Sequence, residues 1–200
     1  MINEPIKIDR ISFENRVVLQ PMEGCDCNED GSPSELTIAK YMKAARSCAG
    51  LVWFEANAVC PEGRTNPRQM MLTEDNLPQF KALLNEMRKT ARDECGMTQI
   101  FILQLTHSGR QSISPMIAYR NEVYEEKRPV TDENIVSDEY LDTLPKKYAE
   151  SARLAIKAGF ENSAYSNLFI KMFGFGDKKD AEFTIGAYVE IVNDGASEYS

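Results

Sequence analysis

The sequence has few residues of several kinds, and each shortage excludes a class of function. It contains one histidine, His107, and neither a second cysteine pair nor a histidine lies at zinc-site spacing from Cys25-Asp26-Cys27, so a metal site is not expected. No block of basic residues is present, and a formal net charge of −8 argues against a nucleic-acid partner. No apolar run approaches the roughly 20 residues that a membrane span requires.

The N-terminus also lacks the features of a secretory signal, because no basic flank precedes an apolar run there. We therefore expect a cytoplasmic protein. An odd number of irregularly spaced cysteines favours free thiols in that compartment. The five cysteines of the chain are Cys25, Cys27, Cys48, Cys60 and Cys95. The Cys25-Asp26-Cys27 pair is interpreted as either a redox-active thiol or a thiol exposed on a loop.

Three apolar strands alternate with three amphipathic helices along the chain. The strands are predicted at Val17–Gln20, Leu51–Phe54 and Gln99–Leu105, and the helices at Pro33–Ser47, Leu77–Glu94 and Asp138–Ala158. This alternation is typical of a parallel sheet covered by helices. The 200 residues are few for a complete (β/α)8 barrel, which typically has about 250.

The helix patterns also predict caps and core-facing residues. For the first helix, Ser32 is the predicted N-cap and Glu35 completes a capping box. The residues predicted to face the core are Leu36, Ala39, Tyr41 and Met42 in the first helix, Phe80, Leu83, Leu84, Met87 and Ala91 in the second, and Leu141, Leu144, Tyr148, Ala152 and Ile156 in the third. Upstream of these elements, Ile8–Phe13 is predicted to be a strand that forms a hairpin with the residues after it.

The polar residues that follow the third predicted strand, near His107, indicate a candidate site at the carboxyl ends of the predicted sheet. Long loops follow the strands, whereas the helix-to-strand connections at Gly50, Gly96 and Gly159 are short. Parallel α/β folds bind ligands at the carboxyl ends of their strands. The polar stretch that begins at Gln104 could therefore belong to a site, although by itself it could also be an ordinary polar strand end.

Four segments at these strand ends resemble the old yellow enzyme family of FMN-dependent oxidoreductases. They are Asn15–Met22, Phe54–Arg64, Gln104–Gln111 and Tyr140–Phe160, in the same order as in the family. The resemblance implies the first three to four βα units of a (β/α)8 barrel over residues 1–160. It also implies FMN as cofactor, NAD(P)H as hydride donor and a small-molecule acceptor such as an enone.

The resemblance assigns five residues to the cofactor. Pro21 and Met22 would run beside the flavin, Ala56 would pack on the edge of its ring, and Gln104 would hydrogen-bond its pyrimidine end. Glu23 occupies a position where the family has a threonine or cysteine near flavin O4 and N5. A carboxylate there would disfavour reduced flavin unless it is protonated or turned away.

The resemblance gives the remaining polar residues of this region structural roles. It implies that His107 supports the loop under the flavin and that Arg110 clamps a loop, because the family's phosphate-binding residues lie later in the barrel. No residue is therefore assigned as catalytic.

The resemblance ends after Phe160, where residues 161–200 form a divergent tail. The family continues with a pair of histidines, or a histidine and an asparagine, that polarises the substrate carbonyl. This chain has no histidine there, and neither Tyr165 nor Asn167 reproduces the spacing. Part of the tail, from Phe183, is predicted to form a hairpin, and the pattern as a whole indicates a truncated, frame-shifted or fused reading frame.

Three hypotheses follow. The chain is an oxidoreductase of the old yellow enzyme type, impaired because the histidine pair and the second half of the barrel are missing, and it is expected to bind FMN weakly or not at all. Alternatively, it is a non-catalytic half-barrel that forms oligomers through its exposed barrel edges. An aldolase is a third reading, but none of the three strands carries the lysine that a Schiff base requires.

Overall fold

The fold is a three-stranded parallel sheet with helices on one face and a small hairpin on the other. The computed structural model describes residues 2–8, 11–120 and 122–161. Its strands are β1 (Ile6–Ile8), β2 (Ile11–Phe13), β3 (Val18–Leu19), β4 (Leu51–Ala58) and β5 (Ile100–Thr106), and its helices are α1 (Glu35–Arg46), α2 (Leu77–Cys95), α3 (Glu122–Glu125) and α4 (Asp138–Ala158). The parallel strands have the order β3-β4-β5.

Alternate residues of β4 and β5 point to opposite faces of the sheet, and each face is apolar. The helix-facing cluster of the sheet includes Val52, Phe54, Phe101 and Leu103. The inner-face cluster comprises Ile11, Phe13, Leu51, Trp53 and Ile102. Burial on both faces explains why the two strands are almost continuously hydrophobic in sequence, as strands of parallel sheets are.

The hairpin at the N-terminus differs from the prediction. Ile8 and Ile11 lie on opposite arms of an antiparallel pair, in which β1 aligns with β2 through Ile6 and Phe13. The predicted single strand over Ile8–Phe13 is therefore wrong, because the chain reverses within it. The hairpin packs its apolar residues on the inner face of the sheet, against Trp53.

Helix α1 begins two residues later than predicted, and its buried face differs from the predicted one. Ser34 is the N-cap, because its side chain accepts hydrogen bonds from the first-turn amides. The Ser32 hydroxyl instead donates a hydrogen bond of 2.6 Å to Asp30 within the preceding turn. The buried residues of α1 are Thr37, Tyr41 and Ala45. The predictions that Leu36 and Ala39 face the core are wrong, since both are exposed, Leu36 to 63%.

The other two long helices match their predicted spans closely. The five residues predicted to face inward from α2 are all buried. In α4, Ala152 is buried as predicted, but Ile156 is 40% exposed and the buried stripe is formed mainly by small residues. Gly96 and Gly159 end α2 and α4 with positive φ angles of 66° and 104°, a conformation that glycine adopts without a steric cost.

Two cysteines predicted to be free thiols form a disulfide. Cys48 follows α1 and Cys95 ends α2, and a disulfide joins them with their Cα atoms 5.6 Å apart. The helices are packed side by side, which brings their C-terminal ends together. These ends lie near the start of β4 and β5, at the opposite end of the sheet from the loops that follow these strands. The cysteines at positions 25, 27 and 60 are free thiols in the structure.

The chain leaves α4 along the outer edge of β5. The amide of Glu161 donates a hydrogen bond of 3.1 Å to the carbonyl of Phe101. The hairpin predicted from Phe183, together with Tyr165 and Asn167, lies outside the described residues. Within the described residues, none of the helices is long and apolar enough to cross a membrane.

Candidate functional site

Strand β4 continues beyond the predicted end at Phe54 as far as Ala58. It contains a bulge at Glu55, because Phe54 and Ala56 pair with consecutive residues of β5. A bulge inserts one residue that has no partner on the neighbouring strand. The bulge places Ala56 directly opposite Gln104. Without it, the side chain of Ala56 would point toward the helices.

Ala56 and Gln104 form a small patch on the inner face of the sheet. Gln104 lies two residues after Ile102, a member of the inner-face cluster, and so shares its face. Both patch residues are half-buried. The Gln104 amide has no hydrogen-bond partner among the described residues, so its donor and acceptor are available. A methyl group beside a free amide provides a flat surface with one polar edge.

The loop after β3 carries the other three predicted site residues, Pro21, Met22 and Glu23. Because β3 lies beside β4, this loop emerges at the same edge of the sheet as Ala56 and Gln104. The Met22 side chain is 76% exposed. Glu23 Oε1 accepts a hydrogen bond of 2.9 Å from the Thr65 hydroxyl, which directs the carboxylate toward the loop after β4.

An ion pair between a half-buried lysine and a buried carboxylate, which the sequence did not reveal, lies beside this loop. Glu55 is 1% exposed, and its Oε1 atom lies 2.6 Å from Lys40 Nζ. The same oxygen accepts a hydrogen bond of 3.2 Å from the Tyr41 hydroxyl, and Oε2 accepts one of 2.8 Å from the Gly24 amide. Lys40 also binds Asp26 at 2.9 Å. We call Gly24, Asp26, Lys40, Tyr41 and Glu55 the Lys40 cluster.

The charges in the Lys40 cluster support one another. Burial lowers the pKa of the Lys40 ammonium, but its hydrogen bonds to Glu55 and Asp26 outweigh that effect and leave the pKa raised. Burial and the nearby Glu55 carboxylate raise the pKa of Tyr41 well above its usual value. At neutral pH the lysine is therefore charged and the tyrosine is neutral, and both donate hydrogen bonds to Glu55.

His107 belongs to a second polar network, on the helix side of the strand ends. Its Nδ1 accepts a hydrogen bond of 3.1 Å from the Gly109 amide, and its Nε2 lies 2.8 Å from the Tyr140 hydroxyl. Since Nδ1 is an acceptor, we assign the proton to Nε2. Tyr140 donates to Glu62 at 3.1 Å, and Lys147 pairs with the same carboxylate. The network joins the loops after β4 and β5 to α4, which agrees with a structural role.

The charges of this network are set by the same contacts. Burial raises the pKa of Glu62, but the hydrogen bonds that Glu62 accepts from Lys147 and other nearby groups have the larger effect. They lower the pKa to about 2. Burial lowers the pKa of His107, and the nearby Glu62 opposes that effect only in part. His107 is therefore neutral in the folded protein at neutral pH.

His107 should make the folding stability depend on pH in the interval from about pH 7 down to its folded-state pKa, which lies below the ordinary value. A histidine whose pKa is lower in the folded state stabilises the fold above its unfolded pKa of about 6.5, and this contribution is lost as pH falls through the folded-state pKa. We expect urea denaturation to show a decline in stability over this interval. Because the chain has one histidine, His107→Gln should remove the decline. An identical decline in the variant would contradict this assignment.

The cysteine pair near the site contains no activated thiol. Burial raises the pKa of Cys27 to about 11, and the thiol accepts a hydrogen bond from Thr37. Cys25 is exposed on the loop, and partial burial together with the Glu23 carboxylate raises its pKa. Both thiols are therefore protonated at neutral pH, which favours the interpretation of Cys25 as a loop-exposed thiol.

Arginines in the loops around the site are engaged with the protein itself. Arg64 donates to the carbonyls of Glu29 and Gln69, and Arg110 donates to the carbonyl of Arg128. Arg110 is thus a loop clamp, as the resemblance implied. Guanidinium groups used in this way fix the loops but leave few donors for an anionic ligand.

Comparisons with known proteins identify the family. The NADH:flavin oxidoreductase / NADH oxidase family matches residues 1–162. The chain belongs to this family. An NADPH dehydrogenase of Bacillus pumilus is 27% identical over 161 residues, covering 78% of this chain and 45% of the relative. A cinnamate reductase of Clostridium sporogenes is 31% identical over 173 residues, covering 80% of this chain and 25% of the relative.

Solved structures confirm the predicted fold class. Old Yellow Enzyme from Pichia sp. AKU4542 superposes with a TM-score of 0.65 at 21% identity, covering 80% of this chain and 44% of that enzyme. Morphinone reductase in complex with tetrahydroNAD gives a TM-score of 0.65 at 20% identity, covering 80% of this chain and 47% of the reductase. The described sheet and helices are therefore part of a (β/α)8 barrel, and the chain spans about half the length of these structures.

Proposed function

We propose that this chain provides the ring-binding part of an FMN site in an NAD(P)H oxidoreductase of the old yellow enzyme type. The observation that supports the proposal is the pairing of Ala56 with Gln104 on the inner face, in a chain that belongs to this flavin-dependent family. FMN would carry hydride from NAD(P)H to an electron-poor acceptor such as an enone. The identity of this acceptor follows from the family resemblance alone.

The residues at the strand ends fit the flavin ring chemically. The half-buried Gln104 amide can both donate to and accept from the pyrimidine part of the ring, which presents groups of both kinds. The Ala56 methyl group leaves room for a flat aromatic system. Pro21 and Met22 would border the ring from the neighbouring strand. Because the loop arginines bind protein carbonyls, we propose that these residues hold the ring and leave the phosphate uncontacted.

Glu23 would distinguish this site from those of the family. Its carboxylate follows Met22 directly, where the family has a threonine or cysteine, and it accepts a hydrogen bond from Thr65. This hydrogen bond turns the negative charge toward the loop after β4. We propose that it reduces the repulsion between Glu23 and the electron-rich reduced flavin.

Substitutions at the paired residues test the proposed site. In a fluorescence titration with FMN, Gln104→Leu should weaken binding by about 10-fold, because two hydrogen bonds to the ring are lost. Ala56→Trp should abolish binding by filling the ring position. Gln79→Leu, at an exposed position of α2, is the matched control and should leave the affinity unchanged. Equal affinities for the wild type and both site variants would refute the proposed site.

A second candidate function is the non-catalytic half-barrel that associates with copies of itself. It is favoured by the edge of β3, which has no strand beside it among the described residues other than β4. A groove of about 440 Å³ lies there, lined in part by Leu19, Gln20 and Ala44. Light scattering should then give a mass above the 22.6 kDa monomer, without bound flavin. A monomeric mass at all concentrations would exclude this candidate.

A further inference from the structure

The Lys40 cluster lies between two parts of the proposed flavin site. Gly24 directly follows Glu23 in the loop after β3, and Glu55 directly precedes Ala56 in β4. The hydrogen bond from the Gly24 amide to Glu55 Oε2, at 2.8 Å, joins these two segments. One buried carboxylate therefore connects the loop that would border the ring to the strand that would support it.

The bulge in β4 makes this connection geometrically feasible. Because Glu55 is the extra residue of the bulge, its side chain points toward α1, while Ala56 returns to the inner face. The Tyr41 hydroxyl accepts a hydrogen bond of 2.9 Å from the Glu55 amide, which the bulge leaves without a partner in β5. The Tyr41 ring also stacks on Phe54, with centroids 3.9 Å apart. Tyr41 thus fixes the bulge from the side of the helix.

Gly24 is adapted to this cluster by its lack of a side chain. A Cβ atom at this position would lie 2.4 Å from Lys40 Nζ and 2.6 Å from Asp26 Oδ2. Gly24 is not among the glycines with a positive φ angle. A side chain at this position would therefore have to displace the ends of the Lys40 and Asp26 side chains, because the loop backbone lies directly against the ion pair.

We propose that Glu55 and Lys40 are positioning residues that hold the loop from Pro21 to Gly24 against β4 in the arrangement that the flavin ring requires. The purpose of this positioning, which is to support the flavin ring, rests on the proposed function. The positioning itself is a property of the chain without flavin. A buried carboxylate with a lysine partner is a costly means of joining two segments, since the carboxylate loses its hydration and the half-buried ammonium loses part of it. Because the ion pair lies beside the proposed flavin site, we interpret it as holding the loop in place there.

Amide hydrogen exchange of the full ¹⁵N-labelled chain, measured by NMR, tests the positioning. We expect Lys40→Met to accelerate exchange at Gly24 by about 10-fold or more, because Glu55 loses its counter-ion and the loop detaches more often. Lys40→Arg should largely preserve the protection, since it keeps the charge. Lys89→Met removes a lysine from an exposed ion pair on α2 and should have no effect. Unchanged exchange at Gly24 in Lys40→Met would overturn the inference.

Gly24→Ala provides a second variant in case Lys40→Met does not fold. The added methyl group should displace Lys40 and accelerate exchange at the amides of residues 22–24 while the amides of α2 stay protected. Unaltered exchange throughout the loop in this variant would contradict the inference equally.

Titration with riboflavin separates this inference from the proposed function. If the wild type binds riboflavin, Lys40→Met should weaken binding by about 10-fold and Lys89→Met should not. Equal affinities in Lys40→Met and the wild type would overturn the positioning role and leave the proposed function intact. Absence of riboflavin binding in the wild type would count against the proposed function, whereas the exchange measurement would still decide the positioning.

Discussion

Reducing the disulfide between Cys48 and Cys95 is expected to lower the free energy of unfolding by about 4 kcal/mol. The two cysteines are 47 residues apart, and closing a loop of that length in the unfolded chain removes about this much conformational free energy. The bond joins the ends of α1 and α2, so the reduced protein should retain its fold. Guanidinium denaturation with and without dithiothreitol measures the difference.

Two controls make this result interpretable. Cys48→Ser should show the lower stability without reductant and should not respond to it. Cys25→Ser removes an exposed free thiol and should behave as the wild type does. Alkylation of the unreduced protein under denaturing conditions, followed by mass spectrometry, should modify the three free cysteines. Modification of all five would contradict the disulfide and restore the expectation of free thiols.

Phe54→Ala should lower the free energy of unfolding by about 4 kcal/mol, as removing a large aromatic side chain from a packed core does. Phe54 is fully buried, stacks on Tyr41 and contacts the rings of Phe101 and Phe160 edge-on, at 6.0 and 4.8 Å between centroids. The cavity would lie between the sheet and the helices, where the surroundings cannot readily collapse.

The measurement for Phe54→Ala is urea denaturation followed by circular dichroism. Tyr119→Ala is the matched control, because Tyr119 is 69% exposed and its loss should change stability by less than about 0.5 kcal/mol. A loss of less than about 1 kcal/mol in Phe54→Ala would show that this ring is not a central part of the core.

Parts of the fold could be predicted because local patterns and tertiary packing agree there. Helix α2 has one apolar stripe and a terminal glycine, and its predicted inward face was confirmed. Helix α1 has apolar residues on several faces, so periodicity did not identify the buried one. Its rotation depends on the bonds between Tyr41 and Glu55, which join residues 14 positions apart. Such pairs cannot be read from hydrophobic spacing.

The candidate site, like the fold, could be predicted only in part from the sequence. Ala56 and Gln104 were assigned through the family resemblance, and the register of β4 and β5 now places them opposite each other. Their role in flavin binding is still a prediction. The sequence does not predict the bulge that permits the pairing, because an acidic residue after a run of apolar ones indicates the end of a strand. A buried Glu55 can be recognised only once its partner Lys40 is known.

The disulfide was missed for a related reason. Cys48 and Cys95 follow two different helices, and only the side-by-side packing of those helices brings them within bonding distance. An odd cysteine count and the expected cytoplasmic location both argued for free thiols. Neither argument includes the geometry of the barrel.

Parallel titrations of the purified 200-residue chain with FMN and with riboflavin test most directly the claim that these strand ends hold the flavin ring. The proposed site contacts the ring and leaves the phosphate uncontacted. We therefore predict weak, saturable quenching of flavin fluorescence, with dissociation constants for the two ligands that agree within about threefold. Binding of FMN about 100-fold tighter than riboflavin, or a purified protein that carries one FMN per chain, would contradict the account.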